Sequence, residues 1–237
     1  MTLHNINTLK KVFPEPSNGN YNGLKCDEEG LYSITHPKEA DLISETIIEI
    51  TNTNNIHIVD MTAGCGGNMI SFIKYFSNVT GIEMDKYRFK LLKENLSKYE
   101  YNNYELICGD STSNNYANSN YANSDYANSN YDNSNYANSN YANSNYANSN
   151  YANSNYANYD VYFIDPPWGG PDYKKQSNVE LHLSNYKLEE FILTLPKDKL
   201  IVLKLPFNYN IDGFKNNIIR KLFINNILIL FIKINEI

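Results

Sequence analysis

Short runs of β-branched and other apolar residues recur along this chain, and helical patterns separate several of them. Five such runs have the length of a buried strand, at residues 56–61, 79–83, 104–108, 161–164 and 200–205. Between the second and third runs, Phe89, Leu92 and Leu96 recur at helical spacing. Strands that alternate with helices predict an α/β domain with a doubly wound, mostly parallel sheet.

Residues 218–234 add a predicted hairpin to this sheet. Two further apolar runs within residues 218–234 flank Asn225 and Asn226, a pair that tolerates a tight turn. We therefore expect a closing hairpin and seven strands in all. Another helix is predicted from Pro37, because proline suits the first turn and apolar residues follow it at helical spacing.

A low-complexity tract divides the chain. Residues 116–155 are eight copies of Tyr-Ala-Asn-Ser-Asn, two of them with an Asp substitution. A five-residue period is too short for a solenoid repeat, and Asn and Ser bury too little apolar area to offset ordering entropy. We predict an N-terminal arm at 1–22 and one domain at 23–237, interrupted by a disordered loop insertion at 113–158. The alternative is a tyrosine-rich segment that binds RNA.

Charge and cysteine content exclude several classes. The net charge is −6, whereas proteins that grip long nucleic acids through many phosphates are usually basic. The three cysteines form no CxxC pair, which disfavours a disulfide framework and a metal site. The N-terminus is too polar for a signal peptide, and the run at 227–232 is too short to span a bilayer. We expect a soluble intracellular protein with no membrane partner.

A candidate cofactor loop follows the first strand. Asp60 ends that strand, and Gly64 and Gly66 let the backbone approach a ligand closely. Glu83 ends the second strand, where an acid accepts ribose hydroxyls, and Asp110 after the third could reach an adenine amino group. The alternatives are an ordinary tight turn, a solvated strand end and a loop-capping Asp. A pyrophosphate cofactor and a sulfonium cofactor both fit this pattern.

The fourth strand ends in a more specific motif. Asp165-Pro166-Pro167-Trp168 resembles the catalytic segment of amino-methyltransferases, which methylate exocyclic nitrogens. Asp165 and the carbonyls around Pro166 and Pro167 can hold the N–H groups of a planar target, and Trp168 can stack on it. An indole would favour a cationic purine through a cation–π interaction. The alternative is that Trp168 is a core residue.

The longer segment 166–173, Pro-Pro-Trp-Gly-Gly-Pro-Asp-Tyr, resembles the signature of trimethylguanosine synthases. Members of that family convert the 7-methylguanosine cap of small nuclear and nucleolar RNAs to 2,2,7-trimethylguanosine. The similarity extends to residues 23–35, 60–68, 108–110 and 223–226, so it covers about 23–110 and 159–234. It implies a Rossmann-like methyltransferase sheet of the seven-stranded type, with the repeat tract as an insertion.

The resemblance also implies roles for residues. Thr35, Asp60 and Glu83 would contact S-adenosyl-L-methionine, while Asp165, Trp168 and Tyr173 would contact the methylated guanine of a capped RNA. Small ribonucleoprotein proteins would be its partners. The implied location is the nucleus, with the cytoplasm as an alternative.

Three positions depart from the family pattern. Phe207 stands where an arginine of the family contacts the cap phosphates, Asp165 stands where serine is frequent, and Leu31 replaces a tryptophan. Two other functions therefore stay open: methylation of another RNA base, such as a guanine or adenine of rRNA or tRNA, and non-catalytic cap binding. Against adenine enzymes, the cofactor loop here precedes the catalytic segment. Against a non-catalytic protein, Asp60, the glycines and Glu83 are all present.

Overall fold

A seven-stranded sheet with helices packed on it forms the frame of the protein in a computed structural model that describes residues 5–113 and 159–234. The strands are β1 (His57–Asp60), β2 (Asn78–Glu83), β3 (Tyr104–Cys108), β4 (Val161–Ile164), β7 (Leu200–Pro206), β8 (Ile218–Ile224) and β9 (Ile227–Lys233). A separate small hairpin joins β5 (His182–Leu183) and β6 (Tyr186–Lys187). The helices are α1 (Ile6–Val12), α2 (Glu28–Ser33), α3 (Pro37–Thr51), α4 (Gly67–Tyr75), α5 (Lys86–Leu96) and α6 (Leu188–Ile192). Two 3₁₀ helices cover Gly170–Lys175 and Asp212–Asn217.

The strand order is β3-β2-β1-β4-β7-β9-β8, and β9 runs antiparallel to both of its neighbours. The predicted doubly wound, mostly parallel sheet is confirmed, and so is the closing hairpin. Its turn places Asn225 at φ 55, in the left-handed region that asparagine tolerates better than most residues. The order reverses between β1 and β4, and ligands of such sheets bind outside the carboxyl ends of the strands at this point.

Side chains of the central strands alternate between two buried layers. In β4, Val161 and Phe163 face the layer that includes α3, α4 and α5, whereas Tyr162 and Ile164 face the layer that includes α6. Because both faces are covered, these strands read as continuous apolar runs in the sequence. That is why they could be located without any tertiary information.

Several parts of the fold differ from the expectation or were not anticipated. The segment interpreted as an N-terminal arm contains α1, whose Leu9 is buried, and Phe13 after it is buried in the same layer. Helix α2 and the β5–β6 hairpin are too short to show a period. The predicted insertion at 113–158 lies, apart from Ser113, outside the described residues. None of the described helices is long and apolar enough to cross a membrane.

Candidate active site

The glycine loop after β1 is shaped by backbone that other residues adopt poorly. Gly64 has φ 56 and Gly66 has φ 102, and Gly66 is the N-cap of α4. A Cβ on Gly67 would lie 3.1 Å from both the backbone nitrogen and the oxygen of Thr35, so α4 packs directly on that segment. The first turn of α4 therefore begins at the carboxyl edge of β1, where its backbone can approach a ligand closely.

Asp60, at the end of β1, has a carboxyl group with one unsatisfied oxygen. Its Oδ1 accepts a hydrogen bond from the Thr62 backbone N–H at 3.1 Å, and its side chain is buried. Its Oδ2 is buried and forms no hydrogen bond within the described residues. Burial raises the pKa of Asp60 to about 8, and the nearby Asp165 and Glu83 act in the same direction. Such a group attracts a positively charged ligand group.

Glu83, at the end of β2, holds the loop and keeps acceptor capacity. Its Oε2 accepts from the Gly64 N–H and its Oε1 from the Asp85 N–H, both at 2.8 Å. Burial raises its pKa, and these two backbone hydrogen bonds oppose that shift. A carboxylate offers about four lone-pair sites, so both oxygens can still accept from a pair of ribose hydroxyls.

Asp110 and Thr35, the other two predicted cofactor residues, have local roles in the structure. Asp110 Oδ1 accepts from the N–H and the hydroxyl of Thr112 at 2.9 and 2.8 Å, which makes it a loop-capping residue at the carboxyl edge of β3. Thr35 is buried, and its hydroxyl accepts from the Asn68 amide at 2.9 Å. The Asn68 Oδ1 is buried without a hydrogen bond among the described residues. Contacts of Asp110 and Thr35 with a cofactor stay predictions.

Two residues of α5 that sequence reasoning missed contact the segment 23–35, and one of them also contacts the cofactor loop. The buried Asn95 of α5 donates to the Lys25 carbonyl at 2.8 Å and to the Cys65 carbonyl at 2.9 Å. Arg88, also of α5, pairs with Asp27 at 2.9 Å. A single polar residue on an apolar helical stripe was the signal that could have identified Asn95.

Two of the scattered cysteines meet here. Potential ligand atoms of Cys26, Asp27 and Cys65 lie within 4.8 Å of one another, an arrangement that the spacing in the sequence did not suggest. Asp27 is already engaged, because it accepts from Gly30 at 2.9 Å and pairs with Arg88. The guanidinium would also repel a cation, so we interpret the cluster as packing between the two segments.

The catalytic segment predicted at the end of β4 lies at the carboxyl edge, next to the glycine loop. The Asp165 N–H donates to the Thr62 hydroxyl at 2.8 Å, which fixes the start of the turn against the loop after β1. Pro166 is buried and Pro167 is exposed. Asp165 and Asp60 are close enough for their charges to interact. The structure thus brings the motif and the cofactor acids together, although they are about 100 residues apart in sequence.

A buried cation from the neighbouring strand contacts this segment, and no local pattern in the sequence indicated it. The Lys204 ammonium of β7 donates to Asp165 Oδ2 at 2.6 Å and to the Ser33 carbonyl at 3.2 Å. The Lys204 side chain is 4% exposed and that of Asp165 is 16% exposed. Burial raises the pKa of Asp165, and the charge of Lys204 opposes that shift.

Trp168 packs on Tyr173 and faces the same cation. The two rings meet edge to face, with centroids 5.1 Å apart and an interplanar angle of 83°. Lys204 Nζ lies 5.5 Å from the centroid of the Trp168 ring system. The indole is half-buried, and the side chain of Trp168 stabilises the ionised form of Asp165. Tyr173 is 4% exposed, so this predicted substrate residue supports the indole and presents little surface of its own.

These features fit the predicted cofactor and its target. A sulfonium nucleoside with an amino-acid end carries positive charge, which suits the unpaired Oδ2 of Asp60, and ribose hydroxyls, which suit Glu83. The indole beside a carboxylate suits a flat base that carries N–H groups. Phe207, at the position of the missing arginine, is 50% exposed after β7 and offers an aromatic surface there instead of charge.

Comparison with known proteins identifies the family of the chain. The model of the family described as RNA cap guanine-N2 methyltransferase matches residues 55–236. An uncharacterized protein of Acanthamoeba polyphaga mimivirus is 27% identical over 97% of this chain and 87% of its own length. The trimethylguanosine synthase of Schizosaccharomyces pombe is 35% identical over 77 residues, which cover 32% of this chain and 31% of that protein.

Solved structures share the fold. A hypothetical protein of Thermus thermophilus superposes with a TM-score of 0.54 at 11% identity, covering 89% of this chain and 92% of its own. The Thermus thermophilus 16S rRNA N2 G1207 methyltransferase, solved with AdoMet and guanosine, gives a TM-score of 0.52 at 13% identity, covering 92% of this chain and 46% of its own. With its family match, its sheet order and a site that fits S-adenosylmethionine, the chain belongs to the RNA cap guanine-N2 methyltransferase family and is an S-adenosylmethionine-dependent RNA methyltransferase.

Proposed function

We propose that the protein methylates the exocyclic N2 of the 7-methylguanosine cap of RNA. The observation that carries this proposal is the interaction between the Trp168 side chain and Asp165, at the edge where Asp60 and Glu83 suit a sulfonium nucleoside. A 7-methylated guanine is cationic and flat, so it gains both stacking and a cation–π interaction with indole. Its N2 carries N–H groups that a carboxylate can accept.

The residues divide the work of positioning. S-adenosylmethionine supplies an electrophilic methyl group on a positively charged sulfur. Asp60 pairs with the positive charge of the cofactor, and Glu83 accepts its ribose hydroxyls. Trp168 fixes the plane of the base, while Asp165 accepts an N2–H and aims the nitrogen at the methyl carbon. Because the methyl donor is already reactive, this alignment is the main contribution of the protein.

The substrate RNAs that we propose are small nuclear and nucleolar RNAs, with the nucleus as the site of action and small ribonucleoprotein proteins as partners. Support comes from the resemblance in 166–173 and from the family match. Immunoprecipitation of the tagged protein with sequencing of bound RNAs, together with imaging of its location, tests this part. Recovery of rRNA or tRNA in place of capped small RNAs would contradict it.

A comparison of two small substrates tests the chemistry. Labelled S-adenosylmethionine is incubated with the protein and either 7-methylguanosine diphosphate or guanosine diphosphate. We expect label in the first alone, at N2, because the uncharged guanine lacks the cation–π interaction. Equal labelling of both, or labelling of neither, would reject cap specificity.

The competing function is methylation of an internal RNA base. It is favoured by Phe207, because a base-stacking surface in place of a phosphate-binding arginine suits single-stranded RNA without a cap. Incubation with uncapped total RNA distinguishes the two functions. Label at an internal guanine or adenine, with none on 7-methylguanosine diphosphate, would establish the competitor.

A further inference from the structure

Two Asp–Lys ion pairs bracket the contact between β4 and β7. The parallel register runs from Val161 opposite Leu200 to Ile164 opposite Leu203. One residue before it, Lys199 pairs with Asp160 at 3.3 Å on the exposed side. One residue after it, Lys204 pairs with Asp165 at 2.6 Å inside the protein. The two pairs have the same chemistry and differ in burial and in distance from the active site.

The inner pair occupies an apolar part of the sheet. The neighbours of Lys204 along β7, Leu203 and Leu205, are fully buried. A lysine on such a strand loses its hydration, which strongly disfavours the position unless nearby acceptors compensate. Here the acceptors are the Asp165 carboxylate and the Ser33 carbonyl. The desolvation of Lys204 at a central strand position is therefore offset by its contacts with these two acceptors.

Lys204 is shared by the groups that meet the substrate. Its charge favours the ionised form of Asp165 and also of Asp60, the two buried acids on either side of the site. Its ammonium lies 5.5 Å from the Trp168 ring centroid. The ion pair engages Asp165 Oδ2, and the side chain of Trp168 also stabilises the ionised form of Asp165.

We propose that Lys204 is a positioning residue for methyl transfer, which holds Asp165 ionised and in one orientation beside Trp168 so that it can accept the N–H of the target amine. This inference rests on the proposed function. Lys204 acts through Asp165 and does not itself touch the reacting atoms. A neutral residue at 165, such as the serine frequent in the related synthases, would need no such cation.

The transfer step balances with Asp165 as the proton acceptor. The lone pair of the target nitrogen forms the new N–C bond while the C–S bond breaks. The electron pair of the C–S bond stays on sulfur, so the sulfonium becomes a thioether. The proton released by the nitrogen passes to the Asp165 carboxylate and later to water. An ionised Asp165 is therefore needed at the start of each turnover, and Lys204 maintains that state.

Four variants test the role of Lys204: Lys204→Met, Asp165→Asn, the double variant, and Lys199→Met as the matched control. Each is assayed with 7-methylguanosine diphosphate for kcat, KM and the pH profile of kcat. Cofactor binding by calorimetry and thermal unfolding report whether the fold is intact. We expect Lys204→Met to lower kcat about 100-fold with KM little changed, since an assisted proton transfer contributes about this much. Lys199→Met should match the wild type.

The pH profile and the double variant distinguish a positioning role of Lys204 from a purely structural role. Without Lys204, the Asp165 pKa rises, so the acid limb of the kcat profile should move to higher pH, although Asp60 titrates nearby. The double variant should lose no more activity than Asp165→Asn alone, because the two residues act as a unit. A kcat of Lys204→Met within twofold of wild type, or losses that multiply in the double variant, would overturn the inference. If Lys204→Met does not fold, the double variant, which has neither charge, is measured in its place. A double variant that keeps the acid limb of the wild-type kcat profile would overturn the inference, because that limb would then not report Asp165.

A measurement without substrate distinguishes this inference from the proposed function. The ¹³C carboxyl signal of Asp165 is titrated by NMR in the wild type and in Lys204→Met. An unchanged Asp165 pKa would reject the role of Lys204, whatever the enzyme methylates. A wild-type enzyme that ignores 7-methylguanosine diphosphate, with a shifted Asp165 pKa in the variant, would reject the cap substrate alone.

Discussion

The indole of Trp168 stands edge to face on the buried ring of Tyr173, with centroids 5.1 Å apart. This contact supports an intermediately exposed aromatic side chain that is followed by two glycines. Gly169 and Gly170 follow Trp168 at φ 80 and φ 72, so the backbone itself turns sharply there.

Substitution of Trp168 should separate substrate binding from cofactor binding. Base–aromatic stacking contributes about 1–3 kcal/mol, so Trp168→Ala should raise the Kd for 7-methylguanosine diphosphate by about 5- to 150-fold. Cofactor affinity should stay within a few-fold of wild type, as measured by calorimetry. Trp168→Phe is the control and should retain most of the binding. Loss of both affinities in Trp168→Ala would show that the indole is part of the core.

The buried Asp60 should make the stability of the cofactor-free protein depend on pH. Burial raises its pKa to about 8, whereas an unfolded Asp titrates near a pH of about 4. The folded state therefore holds a proton that the unfolded state has lost, so the free energy of unfolding falls as pH rises from about 4 to about 8. Asp60→Asn should flatten this slope in urea unfolding. An Asp60→Asn variant with the wild-type slope would contradict this account.

The same residue should couple cofactor binding to a proton. A positively charged cofactor favours the ionised form of Asp60, so binding near neutral pH should release a proton and strengthen as pH rises towards 8. Calorimetry in buffers of different ionisation enthalpy measures that release. Proton release that persists undiminished in Asp60→Asn would show that another group is responsible.

The left-handed glycine at the start of α4 should be intolerant of a side chain. Gly66→Ala meets two obstacles: φ 102, and a new Cβ 3.1 Å from Leu92 Cδ1. We expect a loss of about 1–3 kcal/mol in the free energy of unfolding, with weaker cofactor binding. Gly169→Ala shares a positive φ of 80 but has open space, and Gly213→Ala has neither obstacle. The order of stability should be Gly213→Ala, then Gly169→Ala, then Gly66→Ala. A Gly66→Ala variant as stable as Gly213→Ala would contradict this account.

The repeat tract should be largely dispensable for folding, within a limit that the sheet order sets. From composition we predict that deletion of 116–155 leaves the core folded. The chain must, however, pass from the carboxyl end of β3 to the amino end of β4, across β2 and β1. A parallel crossover needs about a dozen residues or more. Removal of 121–150 keeps enough chain and should leave the melting temperature within a few degrees. A large fall in that shorter deletion would show that the tract packs on the domain, while a fall in the full deletion alone would reflect a connection that is too short.

The sequence predicted the central strands well and the flanking elements poorly. Strands buried on both faces, such as β4 and β7, appear as continuous apolar runs, which local patterning detects. Helix α2 has six residues and the β5–β6 hairpin has two residues per strand, so neither shows a measurable period. The helix after β6 spans only Leu188–Ile192, because the residues beyond it continue as a turn.

By itself, the sequence determined the sheet, the glycine loop, the acids at the strand ends and the motif at Asp165, because each of these is a local pattern next to a strand end. Tertiary structure alone revealed that Asn95 joins two distant segments and that Lys204 forms an ion pair with Asp165. A lone lysine in an apolar run gives no local signal of its partner. The partner of Lys204 depends on the register between β4 and β7, which places residues about 40 positions apart side by side. That register follows from packing over the whole sheet and is not encoded in any one segment.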